Sequence, residues 1–323
     1  MPKLICLMPT FNKEETLAKA IESVMMQKTD FDYKLIILDD CSTDNSNRIA
    51  QKYKEKYPEK IDIVRNKTNL KLLRSIMNGY ALLKGADYFC VLGADDWYVY
   101  DKKFAEAVAF LDAHKNFSMY MTNIIVKKGD QEEPCYKGNY KIIDFNFTDR
   151  KYDNYIPMQT SAFVYRNVYF KDGMNEKFAG VLNSKFPESY RADGFRFEWY
   201  LQAGKVHFEN KVTAVYNYDM NGIWSSMSEA EQILHNAKIF YSCAVFITSA
   251  EKFYMQEARR LYIKAMQAAA GMSDETFVKN KKLITDLATV LIENKSSFIK
   301  KTAAFCIKLI HNKKLKNLLI NIR

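Results

Sequence analysis

Short, largely apolar runs recur through the first 126 residues and alternate with stretches of helical periodicity. Four runs, at residues 4–8, 35–38, 61–64 and 88–92, are too continuous for half-exposed strands and are typical of a sheet buried on both faces. Apolar residues with helical spacing lie between and after these runs: Leu17, Ile21 and Val24; Leu72, Ile76 and Tyr80; Phe104, Val108 and Leu111. The repeated strand and helix predict a parallel, doubly wound α/β sheet, in which ligands bind at the carboxyl ends of the strands.

The pattern changes twice along the rest of the chain. From about residue 117 to 225 it becomes irregular and aromatic, with strands predicted at 161–165 and 212–216 and a helix at 195–203. Beyond Ser228 there is no proline and a single glycine, Gly271, which predicts a helical region. We therefore expect two domains, an α/β domain over residues 1–225 and a helical C-terminal region over residues 226–323.

Charge and cysteine usage exclude several classes of protein. The net charge is +10, but residues 295–323 alone carry eight Lys or Arg and no acid. The folded body is thus nearly neutral, which argues against a nucleic-acid-binding module. Six cysteines without a C-x-x-C pair argue against a zinc site and a disulfide framework.

No segment predicts a membrane-spanning helix or a secretion signal. The uncharged stretch at residues 239–250 is far shorter than the roughly 20 residues that a spanning helix needs. The N-terminus runs directly into the first predicted strand and lacks the pattern of a signal peptide. We expect a cytoplasmic protein.

Polar segments follow the first, second and fourth predicted strands. They are Pro9-Thr10-Phe11-Asn12, Asp39-Asp40-Cys41-Ser42-Thr43-Asp44 and Gly93-Ala94-Asp95-Asp96-Trp97. Two acidic pairs on one sheet edge repel each other unless a cation or hydrogen-bond donors lie among them. Oxygen ligands of this kind suit Mg²⁺ or Mn²⁺. A helix cap for the first acidic pair and a solvated turn for the second are the alternative interpretations.

The order and spacing of these segments resemble the family 2 glycosyltransferases of the GT-A fold. The resemblance covers about residues 1–220 and includes Asn69 and Asn78-Gly79 besides the three polar segments. At the last segment the family usually has an additional acid, for which this chain has Gly93. The resemblance implies a nucleotide-sugar donor, most simply a uridine diphosphate sugar, and a bound Mn²⁺ or Mg²⁺.

The resemblance also implies roles for particular residues. Thr10, Asn12 and Asp40, together with Pro9, would hold the nucleoside, with Asp40 accepting a hydrogen bond from the uracil ring. Asp95 would bind the ribose or the metal, and Asp96 the metal that bridges the diphosphate. Lys71 and Arg74 would reach the base and the phosphates; the alternative for both is a solvated first helical turn.

The resemblance also implies that the general base is an aspartate far downstream, before an aromatic-rich helix. Asp193 fits this position, with Glu188 and Glu198 as alternatives and a helix N-cap as its non-catalytic interpretation. A single base without a carboxylate nucleophile implies displacement with inversion. The segment Gln159-Thr160-Ser161 is where acceptor contacts are expected.

The C-terminal segment and the overall function leave alternatives open. Residues 298–310 segregate lysines from apolar residues, a pattern that fits an anionic membrane surface, packing on the chain's own domain, or a homodimer contact. We expect an inverting glycosyltransferase with a glycan or lipid-linked acceptor in bacterial surface polysaccharide synthesis. A metal-dependent phosphotransfer enzyme and an inactive sugar-nucleotide-binding protein are the alternatives.

Overall fold

The computed structural model describes residues 1–151, 156, 159–183, 192–218, 222, 224, 226–268, 280, 284, 287 and 291. The chain divides into two compact units. The first comprises Met1–Leu182 and Arg196–Asp219, and the second comprises Asn183–Phe195 and Met220–Arg323.

A ten-stranded sheet forms the centre of the first unit. Its strands are β1 (Leu4–Thr10), β2 (Tyr33–Asp39), β3 (Ile61–Arg65), β4 (Tyr88–Val91), β5 (Trp97–Tyr98), β6 (Phe117–Lys128), β7 (Gln131–Pro134), β8 (Ile142–Phe145), β9 (Phe163–Arg166) and β10 (Lys205–Asn217). The main path runs β3-β2-β1-β4-β9-β6-β10-β5, while β7 pairs with β6 and β8 with β10. Strands β1 to β4, β6 and β10 share one direction, so the sheet is mostly parallel. The expected α/β class is confirmed.

Helices follow the strands of the parallel half. They are α1 (Leu17–Met25), α2 (Ser46–Lys56), α3 (Lys71–Ala81) and α4 (Lys103–Ala113), followed by α5 (Phe147–Lys151), α6 (Glu176–Ala179) and α7 (Ala192–Tyr200). Helix α3 packs closely on the sheet at Gly79, where a Cβ atom would overlap Leu38 Cδ1 and lie 3.3 Å from Leu7 Cδ1. Glycine therefore sets the distance between α3 and the strands β1 and β2.

The irregular segment completes the sheet by long-range pairing. Strand β9 is antiparallel to both β4 and β6, and it begins two residues later than the sequence predicts. The preceding residues, Thr160–Ala162, form a 3-10 turn. The strand predicted at 212–216 is the second half of β10, which extends back to Lys205.

Lys103, the first residue of α4, is fully buried. Its ammonium donates hydrogen bonds to Thr122 Oγ1 (2.8 Å), Thr213 Oγ1 (2.9 Å) and Ala162 O (3.0 Å). These acceptors belong to β6, β10 and the 3-10 turn, so one side chain joins three segments. Burial lowers the pKa of Lys103 to about 7, because the charged form loses its hydration.

The second unit contains α8 (Glu229–Phe246) and α9 (Glu251–Ala268). Helix α8 begins with a capping box, in which Ser228 and Glu231 each accept a main-chain hydrogen bond from the other. The predicted amphipathic segment at 298–310 and the basic residues at 295–323 lie outside the described residues. Among the residues described, no helix combines the length and apolarity needed to cross a bilayer.

Candidate active site

The carboxyl ends of β2, β1 and β4 lie side by side at one edge of the sheet. Because these strands are parallel, the segments that follow them emerge together. The Asp40 main-chain N–H donates to Thr10 O (2.8 Å), and Thr16 Oγ1 donates to Ala94 O (2.9 Å). The segments after β1, β2 and β4 are thus joined at the edge where the sequence predicts a ligand.

The two acids after β2 have different environments. Asp39 is buried and accepts hydrogen bonds from the Ser42 N–H (2.9 Å) and Asn47 Nδ2 (3.1 Å), with Arg65 Nε at 3.3 Å. This carboxylate holds the loop after β2 and, through the Asn47 side chain, the first turn of α2. The Ser46 N–H at the start of α2 donates to Asp44 Oδ1 (2.9 Å) instead, so the capping interpretation describes neither Asp39 nor Asp40.

Asp40 is also buried but has different partners from Asp39. Its Oδ1 accepts hydrogen bonds from Asn66 Nδ2 and from the Leu70 N–H, both at 2.8 Å. Among the described residues, Oδ2 accepts no hydrogen bond. The carboxylate is therefore held in a fixed orientation and retains one oxygen for a ligand.

Pro9, Thr10 and Asn12 lie at the end of β1 and in the loop beyond it. Pro9 is paired with Leu38 in the β1–β2 ladder, and Thr10 Oγ1 donates to Met8 O (3.1 Å). Asn12 Oδ1 accepts a hydrogen bond from the Thr43 N–H (2.9 Å). Thr10 Oγ1 and Asn12 Oδ1 therefore form hydrogen bonds that hold the main chain at this edge.

Three residues other than glycine have positive φ angles in the described parts of the chain. They are Asn12 (50°), Cys41 (64°) and Lys71 (68°), which follow β1, β2 and β3. Such conformations are uncommon and cluster at functional sites. Lys71 and Arg74 are exposed on the first turn of α3, beside the loop that holds Asp40.

Asp95 and Asp96 lie in a tight turn after β4, in which the Asp96 N–H donates to Gly93 O (3.0 Å). Asp96 is 5% exposed, and its Oδ1 accepts a hydrogen bond from the Asn217 N–H at the end of β10 (3.0 Å). Burial and, secondarily, the charge of Asp95 raise the pKa of Asp96 well above its usual value. Asp95 is half-buried, and its Oδ2 lies 2.6 Å from Lys13 Nζ.

Both carboxylates of the pair lie close to Gly93. A Cβ atom at this position would lie 2.7 Å from Asp95 Oδ1 and 3.5 Å from Asp96 Oδ2, so a side chain at residue 93 would crowd Asp95. Two neighbouring carboxylates are oxygen ligands of the kind that a small divalent cation takes, with water and phosphate oxygens as its remaining ligands. In the described parts of the chain, no three His, Cys, Asp or Glu side chains cluster to hold a metal by themselves.

Lys13 is the main residue at this edge that the sequence analysis missed. Its contact with Asp95 joins residues far apart in the chain. The available signal was its position directly after Asn12, on the same sheet edge as the acids.

Asp193 belongs to the second unit, whereas the candidate residues at the ends of β1, β2 and β4 and at the start of α3 belong to the first. It is half-buried and belongs to the first turn of α7, which begins at Ala192, so it is inside the helix rather than at the N-cap. Glu198 is buried in an ion pair with Arg150 (2.9 Å), and this contact argues against a role as the base. Glu188 lies outside the described residues. Of the predicted acceptor segment, Gln159 and Thr160 are half-buried and Ser161 is fully buried.

Solved structures with the same fold include two glycosyltransferases with bound nucleotide sugars. Staphylococcus aureus TarS 1–349 in complex with UDP-GlcNAc has a TM-score of 0.61 and 16% identity, covering 98% of this chain and 88% of that chain. The mannosyltransferase PcManGT from Pyrobaculum calidifontis, in complex with GDP-Man and Mn²⁺, has a TM-score of 0.55 and 11% identity, covering 99% and 85%. The expected GT-A fold is thereby confirmed.

Sequence comparison gives the family. EpsE of Bacillus subtilis (strain 168) is 34% identical over 125 residues, which make up 39% of this chain and 44% of EpsE. The poly(ribitol-phosphate) beta-N-acetylglucosaminyltransferase TarS of Staphylococcus aureus is 30% identical over 125 residues, 35% of this chain and 20% of TarS. The chain thus spans less than half the length of these two relatives. Residues 5–174, more than half of the chain, match Glycosyl transferase family 2, and the chain belongs to this family.

Proposed function

We propose that this protein is an inverting glycosyltransferase that moves a sugar from a uridine diphosphate sugar to a glycan or lipid-linked acceptor in bacterial surface polysaccharide synthesis. The observation that carries the proposal is the sheet edge, where the oriented Asp40 carboxylate follows β2 and the Asp95-Asp96 pair follows β4, the two strands on either side of β1. Family membership supports sugar transfer, and the relative TarS, which was crystallised with UDP-GlcNAc, supports the uridine donor.

The two alternatives have less support. A phosphotransfer enzyme that forms an aspartyl phosphate needs a nucleophilic carboxylate, but Asp39 is buried and held by Ser42, Asn47 and Arg65. A protein that binds a sugar nucleotide without turnover would have no need for Asp193 in addition to the Asp95-Asp96 pair. Hydrolysis of an aryl phosphate would favour the first alternative, and nucleotide binding without turnover the second.

The donor would bind through both acidic segments. Oδ2 of Asp40 would accept the N–H of the uracil ring, while Pro9, Thr10 and Asn12 shape the wall beside it. Lys71 and Arg74 supply positive charge at the start of α3 for the base and phosphates. Asp95 and Asp96 would hold Mn²⁺ or Mg²⁺.

In the transfer step, the carboxylate of Asp193 would take the proton of the acceptor hydroxyl. The hydroxyl oxygen forms a bond to the anomeric carbon as the bond from that carbon to the diphosphate oxygen breaks. A bound divalent cation would stabilise the negative charge on the departing diphosphate. One displacement inverts the anomeric configuration.

Replacing Asp96 by Asn should have opposite effects on nucleotide binding and stability. We expect Mn²⁺-dependent UDP affinity to fall by about tenfold or more, because a charged metal ligand is lost. The melting temperature should rise at pH 7, because the raised pKa of Asp96 means that its ionised form is unfavourable in the folded protein. Calorimetric titration with UDP, with Mn²⁺ or with EDTA, and thermal unfolding measure the two effects.

Asp101→Asn is the matched control, because Asp101 is an aspartate that pairs with Lys28 (2.6 Å) and is not among the candidate site residues. This variant should bind UDP as the wild type does. UDP affinity that is indifferent to both EDTA and Asp96→Asn would contradict the metal assignment. A panel of UDP, GDP and dTDP tests the choice of nucleotide.

We further propose that the basic C-terminal segment binds anionic membranes from the cytoplasmic side. Truncation at Lys295 removes eight positive charges, and each contributes about 1 kcal/mol near an anionic surface. The truncated protein should sediment less with phosphatidylglycerol vesicles, most clearly at low salt, and retain UDP binding. Indifference of the full chain to these vesicles would instead favour packing on its own domain or a homodimer contact.

A further inference from the structure

The main chain around Lys13 is tightly held by the loop that follows β2. The N–H groups of Asn12, Lys13 and Glu14 donate to Ser42 Oγ (3.1 Å), Ser46 Oγ (2.8 Å) and Asp44 Oδ2 (3.0 Å). The backbone position of Lys13 is therefore fixed, and its side chain is 27% exposed. Only the flexible side chain is able to change partners.

The contacts of Asp95 divide between its two oxygens. Oδ2 lies 2.6 Å from Lys13 Nζ, whereas Oδ1 lies close to Gly93. An ammonium on one oxygen reduces the negative potential at the other, so it weakens the attraction of Asp95 for a second cation. The same ammonium lies beside the place where the donor's diphosphate would bind a metal held by Asp95 and Asp96.

We propose that Lys13 is a diphosphate-binding residue that also restrains metal binding before the nucleotide arrives. The inference deepens the proposed function and rests on it. When a metal is bound, the two carboxylates would be ionised, and together with a diphosphate they carry more negative charge than one divalent cation neutralises. Lys13 supplies a further positive charge. Metal and nucleotide would consequently bind more favourably together than separately.

Replacing Lys13 by Met tests both parts of this role without an activity assay. The nucleotide-free variant should bind Mn²⁺ about fivefold more tightly than the wild type, measured by electron paramagnetic resonance of free Mn²⁺. In EDTA, UDP affinity should fall by about fivefold while uridine affinity is unchanged, because only the diphosphate faces Lys13. Both differences should shrink at high salt.

The controls separate this role from a structural one. Lys28→Met removes a Lys–Asp pair of the same length, 2.6 Å, whose two members are not among the candidate site residues, and it should leave all three affinities unchanged. Lys13→Arg retains the charge and should behave like the wild type. Unchanged or weaker Mn²⁺ binding in Lys13→Met, or an equal loss of uridine and UDP, would overturn the proposal. If the wild type binds no UDP, the proposed function fails, while the Mn²⁺ titration still decides whether Lys13 restrains the cation.

Discussion

Replacement of Asp193 by Asn is expected to reduce sugar transfer by about 10² or more while leaving UDP affinity nearly unchanged. The reason is that asparagine preserves the shape of the side chain but is unable to take the proton of the acceptor hydroxyl. Initial rates of transfer and calorimetric titration with UDP measure the two quantities. Nuclear magnetic resonance of the wild-type product should show an inverted anomeric configuration.

A structural effect of this substitution can be distinguished from a catalytic one. Asp193 lies in the first turn of α7, where a negative charge stabilises a helix by about 0.3–1 kcal/mol. Asp193→Asn should therefore lower the melting temperature only slightly. Near-normal transfer by this variant would refute the base assignment, and Glu188 would be substituted next.

Lys103→Met is expected to change how stability depends on pH. The pKa of Lys103 is about 7 in the folded protein and about 10.4 in an unfolded chain. Between pH 7 and about pH 10.4, the unfolded state binds more protons than the folded state does. The free energy of unfolding of the wild type therefore increases with pH relative to that of a variant without the lysine. Each pKa unit corresponds to about 1.4 kcal/mol, which gives an expected relative gain of several kcal/mol from pH 7 to pH 10.

Urea unfolding of both proteins at pH 6.5, 8 and 9.5 measures this difference. The variant should be the more stable protein at pH 6.5, because methionine removes a buried charge whose hydrogen-bond partners are two hydroxyls and a carbonyl. Lys102, the exposed neighbour, provides the control, since Lys102→Met should follow the wild-type pH dependence. A difference between Lys103→Met and the wild type that is constant with pH would contradict the assignment.

The parallel half of the fold was predictable because its strands are short, buried and separated by amphipathic helices. Once the strands are parallel, geometry alone brings the residues after β1, β2 and β4 to one edge. The segment from 117 onward was less predictable, because its strands pair with partners far away in sequence. Strand β10 is 13 residues long and has register shifts against β6, which no local pattern indicates.

Within the candidate site, the acids could be identified from the sequence, but which of them holds the structure and which has an oxygen available for a ligand could not. Asp39 and Asp40 are neighbours, yet Asp39 is the last residue of β2 and Asp40 is the first residue beyond it, and the two carboxylates have different partners. Only the structure distinguishes the carboxylate that holds α2 from the one with an oxygen available for a ligand. The contact between Lys13 and Asp95 likewise depends on the adjacency of β1 and β4 in the sheet.

The close packing of α3 on the sheet at Gly79 has a consequence for attempts to change which nucleotide binds at the proposed site. Leu38, which lies against Gly79, is two residues from Asp40, and the Leu70 N–H at the start of the same helix donates to Asp40. A methyl group at position 79 would displace the Leu38 side chain or the helix, and a shift of α3 would move the Leu70 N–H that orients Asp40. Variant libraries aimed at a different nucleobase would therefore gain from including position 79, although it never faces the ligand.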